Sequence, residues 1–270
     1  MQTEFYKYQG TGNDFVMIDN RTNFFPKDDV KLIERFCDRR FGIGADGLIL
    51  LENSSNGKAD FAWKFYNSDG SEAEMCGNGA RCFARFIRQV TDRQDQIAFE
   101  TISGIIHAEF VGHLVRVSLT TPTGLHLGMD LQWEGESRKV HFINTGVPHA
   151  VYFVDQLASV PVQKWGASLR YHAQFSPRGT NANFVQVLND HSIRVRTYER
   201  GVEGETLACG TGVTAAALIT ARVFDYPSPV TVTTQGGDQL QVGFTWACEN
   251  FKDVTLTGPA EVSFTGQIEI

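Results

Sequence analysis

Two stretches of the chain, Glu72-Ala73-Glu74-Met75-Cys76-Gly77-Asn78-Gly79 and Glu205-Thr206-Leu207-Ala208-Cys209-Gly210-Thr211-Gly212, share the pattern E-x-x-x-C-G-x-G and lie 133 positions apart. At this chain's Cys and Gly content, C-G-x-G alone is expected roughly 0.05 times by chance, so two copies indicate an internal repeat. The same offset lays Ile97-Ala98-Phe99-Glu100-Thr101 on Val230-Thr231-Val232-Thr233-Thr234 and Ser103-Gly104 on Gly236-Gly237. Each copy therefore reads as turn, helix, strand, glycine turn, strand. A weaker match sets Gly12-Asn13-Asp14-Phe15 against Gly146-Val147-Pro148-His149. With 270 residues, the chain is long enough for two domains. The repeat places an N-terminal lobe at 1–119, with a strand at about 262–270 returning to it, and a C-terminal lobe at 120–261.

Short alternating strands fill much of the remainder: Asp46 to Glu52, Ala59 to Tyr66, Leu114 to Leu119, Val140 to Asn144, Asn183 to Val187, Ser192 to Tyr198 and Asp253 to Thr257. Helices are few. Asp28 to Asp38 reads as a surface amphipathic helix with acidic residues at its start. Val213 to Ala221 has small or apolar residues on every side, as a helix enclosed by other structure requires, and Ala80 to Val90 has a broad apolar face. The fold class expected is α+β: two pseudo-symmetric lobes, each a curved, mostly antiparallel sheet wrapped around a central helix.

Composition narrows the function classes. Hydrophobic residues are 42%, charged residues 20% and the net charge is −7, which is an ordinary globular balance without the basic footprint of a nucleic-acid binder. No basic leader followed by an apolar run opens the sequence, and no apolar stretch is long enough to span a bilayer, so the reading is of a soluble, unexported protein. The five cysteines, Cys37, Cys76, Cys82, Cys209 and Cys248, form no C-x-x-C or Cys/His ligand spacing. They read as free thiols of a reducing cytoplasm, and no metal site is expected.

A Cys followed by Gly-x-Gly and a helix sits at the helix N-terminus, where unpaired N–H groups and the positive dipole end favour an anion and lower a thiol pKa. The glycines leave the backbone open, so the same N–H groups can grip a carboxylate. Two such sites on related lobes place two thiols to face each other across a cleft. If one thiolate takes the proton from an α-carbon while the opposite thiol returns one to the other face, the centre inverts without a cofactor. That is racemase or epimerase chemistry, with Cys76 and Cys209 as the acid/base pair and the helix N-termini supporting the charge that develops on the carboxylate. Cys37, Cys82 and Cys248 lack the glycine context and read as small apolar residues. A dithiol redox pair is the competing use of facing thiols, although a dedicated exchange motif is missing. A phosphate loop is disfavoured because neither G-K-[ST] nor G-x-G-x-x-G occurs at these turns.

Across the whole chain the sequence resembles the diaminopimelate epimerase family. The resemblance rests on Gly10-Thr11-Gly12-Asn13-Asp14-Phe15, Gly42-Ile43-Gly44-Ala45-Asp46-Gly47, and Phe65-Tyr66-Asn67-Ser68-Asp69-Gly70-Ser71 leading into Met75-Cys76-Gly77-Asn78-Gly79-Ala80-Arg81-Cys82. Asn181-Ala182-Asn183-Phe184, Tyr198-Glu199-Arg200-Gly201 and Ala208-Cys209-Gly210-Thr211-Gly212 complete the set. It implies the two-lobed fold, no cofactor or metal, a cytoplasmic homodimer, and interconversion of LL- and meso-2,6-diaminopimelate in lysine and peptidoglycan precursor biosynthesis. By the same resemblance Cys76 is the proton donor and Cys209 the acceptor in one direction, exchanging roles in the other. Gly77-Asn78 and Gly210-Thr211 hold the reacting carboxylate, and His149 and Glu199 assist the thiols. Asn13, Asn67, Asn181 and Arg200 grip the distal amino-acid head, with Glu199 in the same group. The chain departs from the family at Val147, where some members have Asn in G-N-P-H, and at Gly47, where others carry Gln, so a distal contact is missing or supplied elsewhere. The same-class rival is a proline or hydroxyproline racemase, whose small substrate would not need Asn67, Asn181, Glu199 and Arg200. A thiol redox protein or non-catalytic binding module is the rival from another class.

Overall fold

The computed structural model describes residues 1–55, 57–189 and 191–270, and within them the chain divides into two compact units. The first comprises Met1–Ser118 and Gly258–Ile270, the second Leu119–Thr257.

In chain order the first unit contains β1 (Gln2–Gly10), β2 (Asn13–Asp19), α1 (Val30–Cys37), β3 (Gly47–Asn53), β4 (Phe61–Asn67), α2 (Gly77–Val90), β5 (Gln96–Thr101), β6 (Gly104–Val111) and β7 (Leu114–Ser118). The second contains β8 (Thr123–Trp133), β9 (Glu136–Asn144), β10 (Pro148–Phe153), α3 (Val162–Arg170), β11 (Asn181–Asn189), β12 (Ser192–Glu199), β13 (Gly204–Thr206), α4 (Gly210–Phe224), β14 (Val230–Thr233), β15 (Gln239–Ala247) and β16 (Asn250–Gly258). The last strand, β17 (Glu261–Glu269), belongs to the first unit and pairs antiparallel with β1.

The repeat seen in the sequence is a repeat of strand pairing. In the first unit β1–β2 is antiparallel, β2–β3 parallel, β3–β4 antiparallel, β4–β5 parallel, and β5–β6 and β6–β7 antiparallel. In the second, β9–β10, β10–β11, β11–β12, β12–β14, β14–β15 and β15–β16 follow the same order of senses. The parallel steps need crossovers, and helices supply them: α1 and α2 in one unit, α3 and α4 in the other.

Each sheet curves around one helix. Helix α2 packs against β1, β2, β3, β6 and β7, and α4 against β9, β10, β11, β12, β14 and β15. The all-round small and apolar sequence of α4 matches its burial: Gly212 through Ala221 are all buried. Around α2 an aromatic cluster forms in which Phe83 meets Phe99 at 4.9 Å and Trp63 at 5.8 Å between centroids. The outer face of each sheet is closed by the shorter helix. Ile33 and Phe36 of α1 join Val16, Ile18, Leu48 and Leu50, while Val162 and Leu169 of α3 join Trp133, Ala182 and Phe184.

Coverage on both faces accounts for a difference from the sequence reading of β3. Leu48 to Leu51 is not an alternating strand but four buried residues in a row, as a strand enclosed on both sides requires. The helix starts also differ from those expected, α1 beginning later and α2 and α4 earlier. Asp29 caps α1 instead of lying inside it, accepting from Leu32 N–H at 3.1 Å. Helices α2 and α4 start at Gly77 and Gly210, taking the glycines into their first turns.

Leu218, fully buried in α4, is surrounded by sheet that cannot close over a vacancy. Leu218→Ala is expected to destabilise the protein by about 3 kcal/mol, measured as a lowered midpoint in denaturant unfolding with unchanged slope. An unchanged midpoint would show that α4 is not the packing centre of its unit.

Candidate active site

In the first unit the backbone arrives at Cys76 in extended conformation, and Cys76 is the N-cap of α2. Its Sγ accepts from Gly79 N–H at 3.5 Å, and its S–H donates to Asn13 Oδ1 at 3.4 Å. Asn78 also reaches Asn13 Oδ1 through Nδ2, at 3.4 Å. The thiol is half-buried, and Asn78 beside it is buried. Four of the predicted residues, Asn13, Cys76, Gly77 and Asn78, thus occupy one place.

Sequence reasoning missed what fixes that place. Arg81, with no exposed surface, donates to Gly77 O at 3.2 Å, Asn78 Oδ1 at 3.0 Å and Thr11 Oγ1 at 3.4 Å. Its planar fork ties the first turn of α2 to the turn between β1 and β2. Asn13 is held from the other side: its Nδ2 donates to Asp46 Oδ2 at 2.6 Å. Asp46 and Asp14 share Arg39, which contacts Asp14 at 2.7 and 2.8 Å and Asp46 at 2.8 Å, and buried Lys7 lies 2.9 Å from Asp14. Burial pushes the Asp14 carboxyl up, but hydrogen bonds from Arg39 and Lys7, with their charges, outweigh it and hold the pKa at about 2. The two N-terminal motifs are therefore one charge network whose product is the orientation of Asn13. Asp14 and Asp46 stand within those motifs, but the contacts that join them depend on which strands become neighbours.

In the second unit Cys209 is the N-cap of α4, again in extended conformation, and is buried. Its Sγ lies 3.5 Å from Thr211 Oγ1. Thr145 Oγ1 donates to Thr211 O at 3.0 Å, tying this turn to the end of β9. The leading Glu of each repeat has a structural use. Glu72 pairs with Lys64 of β4 at 2.6 Å, and Glu205 with Arg196 of β12 at 2.6 Å, so each turn before a thiol is pinned to the equivalent strand.

His149 stands on β10 directly beside Asn181 in the parallel ladder with β11. Asn181 is buried, donating to Pro148 O at 3.0 Å and accepting from Arg200 N–H at 2.8 Å. The Arg200 guanidinium donates to Arg178 O at 3.4 Å; partial burial and then the charges of Arg170 and Arg178 lower its pKa, against the pull of Glu203. Glu199 accepts from Thr206 Oγ1 at 3.0 Å. His149 is fully buried, and burial first and the Arg200 charge second bring its pKa down to about 3, so the ring is neutral. His149, Asn181 and Arg200 are therefore together. Asn67 is exposed and bonds within its own turn, Nδ2 to Ser71 Oγ at 3.0 Å. At Gly47 an added Cβ would stand 2.6 Å from Tyr66 O, so the strand as it runs here has no room for a side chain.

The remaining thiols differ in kind. Cys37 and Cys82 are buried, and burial pushes both up to about 12; Cys248 is exposed at the β15–β16 turn. None of the five is in a disulfide. Among the described residues no three His, Cys, Asp or Glu side chains gather as metal ligands, and no helix is long and apolar enough to cross a membrane.

The Asp14 network makes stability depend on acid in a defined window. The unfolded carboxyl titrates near 3.9 and the folded one at about 2. Its contribution is therefore complete above about pH 4 and is lost as pH falls toward 2, where the unfolded chain takes up the proton first. Asp14→Asn is expected to lower the thermal midpoint at pH 7 and to flatten its fall between about pH 4 and pH 2. Parallel midpoint-against-pH curves for the two proteins would rule the linkage out.

The chain is similar to known proteins in sequence and in fold. The sequence model of the diaminopimelate epimerase family matches residues 5–123 and 141–262. The diaminopimelate epimerase of Aquifex aeolicus (strain VF5) is 45% identical over 275 residues, which cover 98% of this chain and 97% of that protein. Among solved structures, a Bacillus anthracis phenazine biosynthesis protein of the PhzF family superposes with a TM-score of 0.77 at 14% identity, covering 100% of both chains. A hydroxyproline epimerase from Agrobacterium vitis with bound trans-4-hydroxy-L-proline gives 0.74 at 17%, covering 99% of this chain and 92% of that one. At such identities the likeness is one of fold, and it includes the expected α+β class with its two repeated lobes. With a family match over most of its length and a full-length relative at 45% identity, this chain belongs to the diaminopimelate epimerase family.

Proposed function

We propose that this protein interconverts LL- and meso-2,6-diaminopimelate, with Cys76 and Cys209 exchanging protons at one α-carbon. The observation that carries the reading is the pair of cysteines, each the N-cap residue of the central helix of its unit. Membership of the family supports the substrate. The relative at 45% identity bears the diaminopimelate epimerase name, whereas the hydroxyproline epimerase shares only 17%.

In one direction the Cys209 thiolate removes the α-proton, leaving the electron pair delocalised into the carboxylate, and the Cys76 thiol delivers its own proton to the opposite face. Inversion leaves Cys209 as thiol and Cys76 as thiolate, and the reverse reaction exchanges them. The contacts of each thiol support these starting forms. Asn13 Oδ1 is positioned to accept a proton-bearing S–H from Cys76, and the Thr211 hydroxyl is within reach to donate to a Cys209 thiolate. The N–H groups of Gly77, Asn78, Gly210 and Thr211, in the first turns of α2 and α4, hold the reacting carboxylate and stabilise the charge that grows on it. Glu199 and His149 assist at the thiols. Asn13, Asn67, Asn181 and Arg200, with Glu199, hold the distal head: Arg200 offers a fork for its carboxylate, and the Asn side chains can serve either its carboxylate or its ammonium. The enzyme works without a cofactor, as a homodimer in the cytoplasm.

Incubation of the reduced protein with LL-diaminopimelate in deuterated water, with nothing else added, should place deuterium at the α-carbon as the meso form appears. Cys76→Ala and Cys209→Ala should each lose roughly 10²-fold or more of the epimerisation rate while keeping the far-ultraviolet circular dichroism of the parent. Full activity in either variant would refute the two-thiol mechanism, and exchange with proline or hydroxyproline in place of diaminopimelate would refute the substrate.

A further inference from the structure

The two repeats are built alike around the first turn of the central helix but are filled differently. In the ladder between β2 and β3, Phe15 pairs with Gly47, and Ile49 follows two residues on along the same face. In the ladder between β10 and β11, His149 pairs with Asn181, and Asn183 follows in the same way. The second glycine of each C-G-x-G turn confirms the equivalence. A Cβ on Gly79 would lie 3.2 Å from Ile49 Cδ1 and 3.4 Å from Phe15 Cζ; a Cβ on Gly212 would lie 2.4 Å from Asn183 Oδ1. One unit thus places Phe15 and Ile49 at these ladder positions, and the other a fully buried His149 and Asn183, with Asn183 against Gly212. Burying two polar side chains where hydrocarbon suffices costs free energy unless they are fully bonded, so the fold alone does not account for them.

We propose that Asn183 is a positioning residue that holds His149 as the neutral tautomer with its proton on Nε2, making His149 a fixed hydrogen-bond donor in the reaction instead of a proton acceptor. The inference rests on the reading above that His149 assists the thiols. It follows from where each hydrogen must be. Asn183 Nδ2 is 2.9 Å from Ala150 O, a backbone carbonyl that can only accept, so the amide group of Asn183 must lie on that side. Its carbonyl then faces Thr197, whose hydroxyl donates to Oδ1 at 3.0 Å. The second hydrogen on Nδ2 is directed at His149 Nδ1, 3.2 Å away. That nitrogen must therefore be the bare one, and a neutral imidazole carries its hydrogen on the other.

The remaining ring nitrogen, His149 Nε2, is buried and has no hydrogen-bond partner among the described residues. A buried N–H without an acceptor is unfavourable in the free protein, which is the arrangement expected where the acceptor arrives with the substrate or as a thiolate. In this tautomer Nε2 has no lone pair in the ring plane to take a proton, and Nδ1 can take one only by displacing Asn183. The imidazole therefore supports negative charge by donation and does not relay protons.

Two-dimensional ¹H–¹⁵N correlation of the imidazole in ¹⁵N-labelled, ligand-free protein tests the assignment directly, with a His149→Phe spectrum identifying the signals. The expected result is a pyrrole-type Nε2 and a pyridine-type Nδ1. Asn183→Asp replaces the donor at Nδ1 with an acceptor and should move the proton to Nδ1 or yield the imidazolium. Asn183→Leu should release the constraint and give a mixture of tautomers. Both should lose roughly tenfold or more in kcat with a smaller change in KM. The double variant His149→Phe/Asn183→Ile copies the packing of the other unit; it should fold with a thermal midpoint close to the parent and be slow. A wild-type Nδ1–H tautomer, an Asn183→Asp ring unchanged from the parent, or a double variant with parental kcat would each overturn the proposal. Absence of any diaminopimelate turnover by the parent would instead overturn the functional reading, because the tautomer is read without substrate.

Discussion

A helix whose first turns are buried has to find partners for its first four backbone N–H groups, and this constraint underlies both halves of the protein. Helices α2 and α4 are enclosed by curved sheets, so their N-termini can open only where a strand ends and a turn leads in. At that point each unit carries a cysteine. In α2 the thiol itself accepts from the third residue of the helix, as a Ser or Asp cap would. Beside each cap stand glycines, Gly77 and Gly79 in one unit and Gly210 and Gly212 in the other, whose backbone carries no side chain over it. The cysteine cap and the glycine-lined turn are thus two results of one local solution, which the salt bridges from Glu72 and Glu205 and, in the first unit, the buried Arg81 hold in place.

Much of this was legible in the sequence because the repeat has a short, rare core. C-G-x-G located both helix starts, and the matched Ile97–Thr101 and Val230–Thr234 stretches located β5 and β14 together with the glycine turns after them. The uniformly small and apolar residues of Val213 to Ala221 announced an enclosed helix. Other elements were hidden for identifiable reasons. Helix α3 begins directly after Pro161 and contains Gly166, both of which read as breakers, yet Pro161 serves as its N-cap. Strands β1 and β2 are obscured because Gly10–Phe15, the turn of their hairpin, is glycine-rich and polar and breaks the alternation of Gln2–Asp19. Strand β8 alternates weakly because much of it is exposed.

The candidate site divides in the same way. Residues local to a motif could be named from it: Cys76, Gly77 and Asn78 stand in one turn, and Asn181 lies beside His149 because two strands pair in register. Residues that act across strands could not be named. Nothing in the linear sequence says that Asp46 holds Asn13, that Arg81 reaches Thr11, or that Asn183 lies against Gly212, since each depends on which strands become neighbours.

The differences between the repeats carry more functional information than their likeness. Likeness follows from the shared requirement to enclose a helix and cap it; a duplicated chain meets it twice without any demand from chemistry. The first unit surrounds its thiol with a charge network and an amide oxygen that accepts from S–H. The second sets a hydroxyl beside its thiol and places buried Asn183, bonded to His149, against the same helix turn. Two turns that are alike in backbone and unlike in what surrounds them are therefore chemically distinct positions on one repeated scaffold, and the distinction lies in side chains that the shared packing does not need.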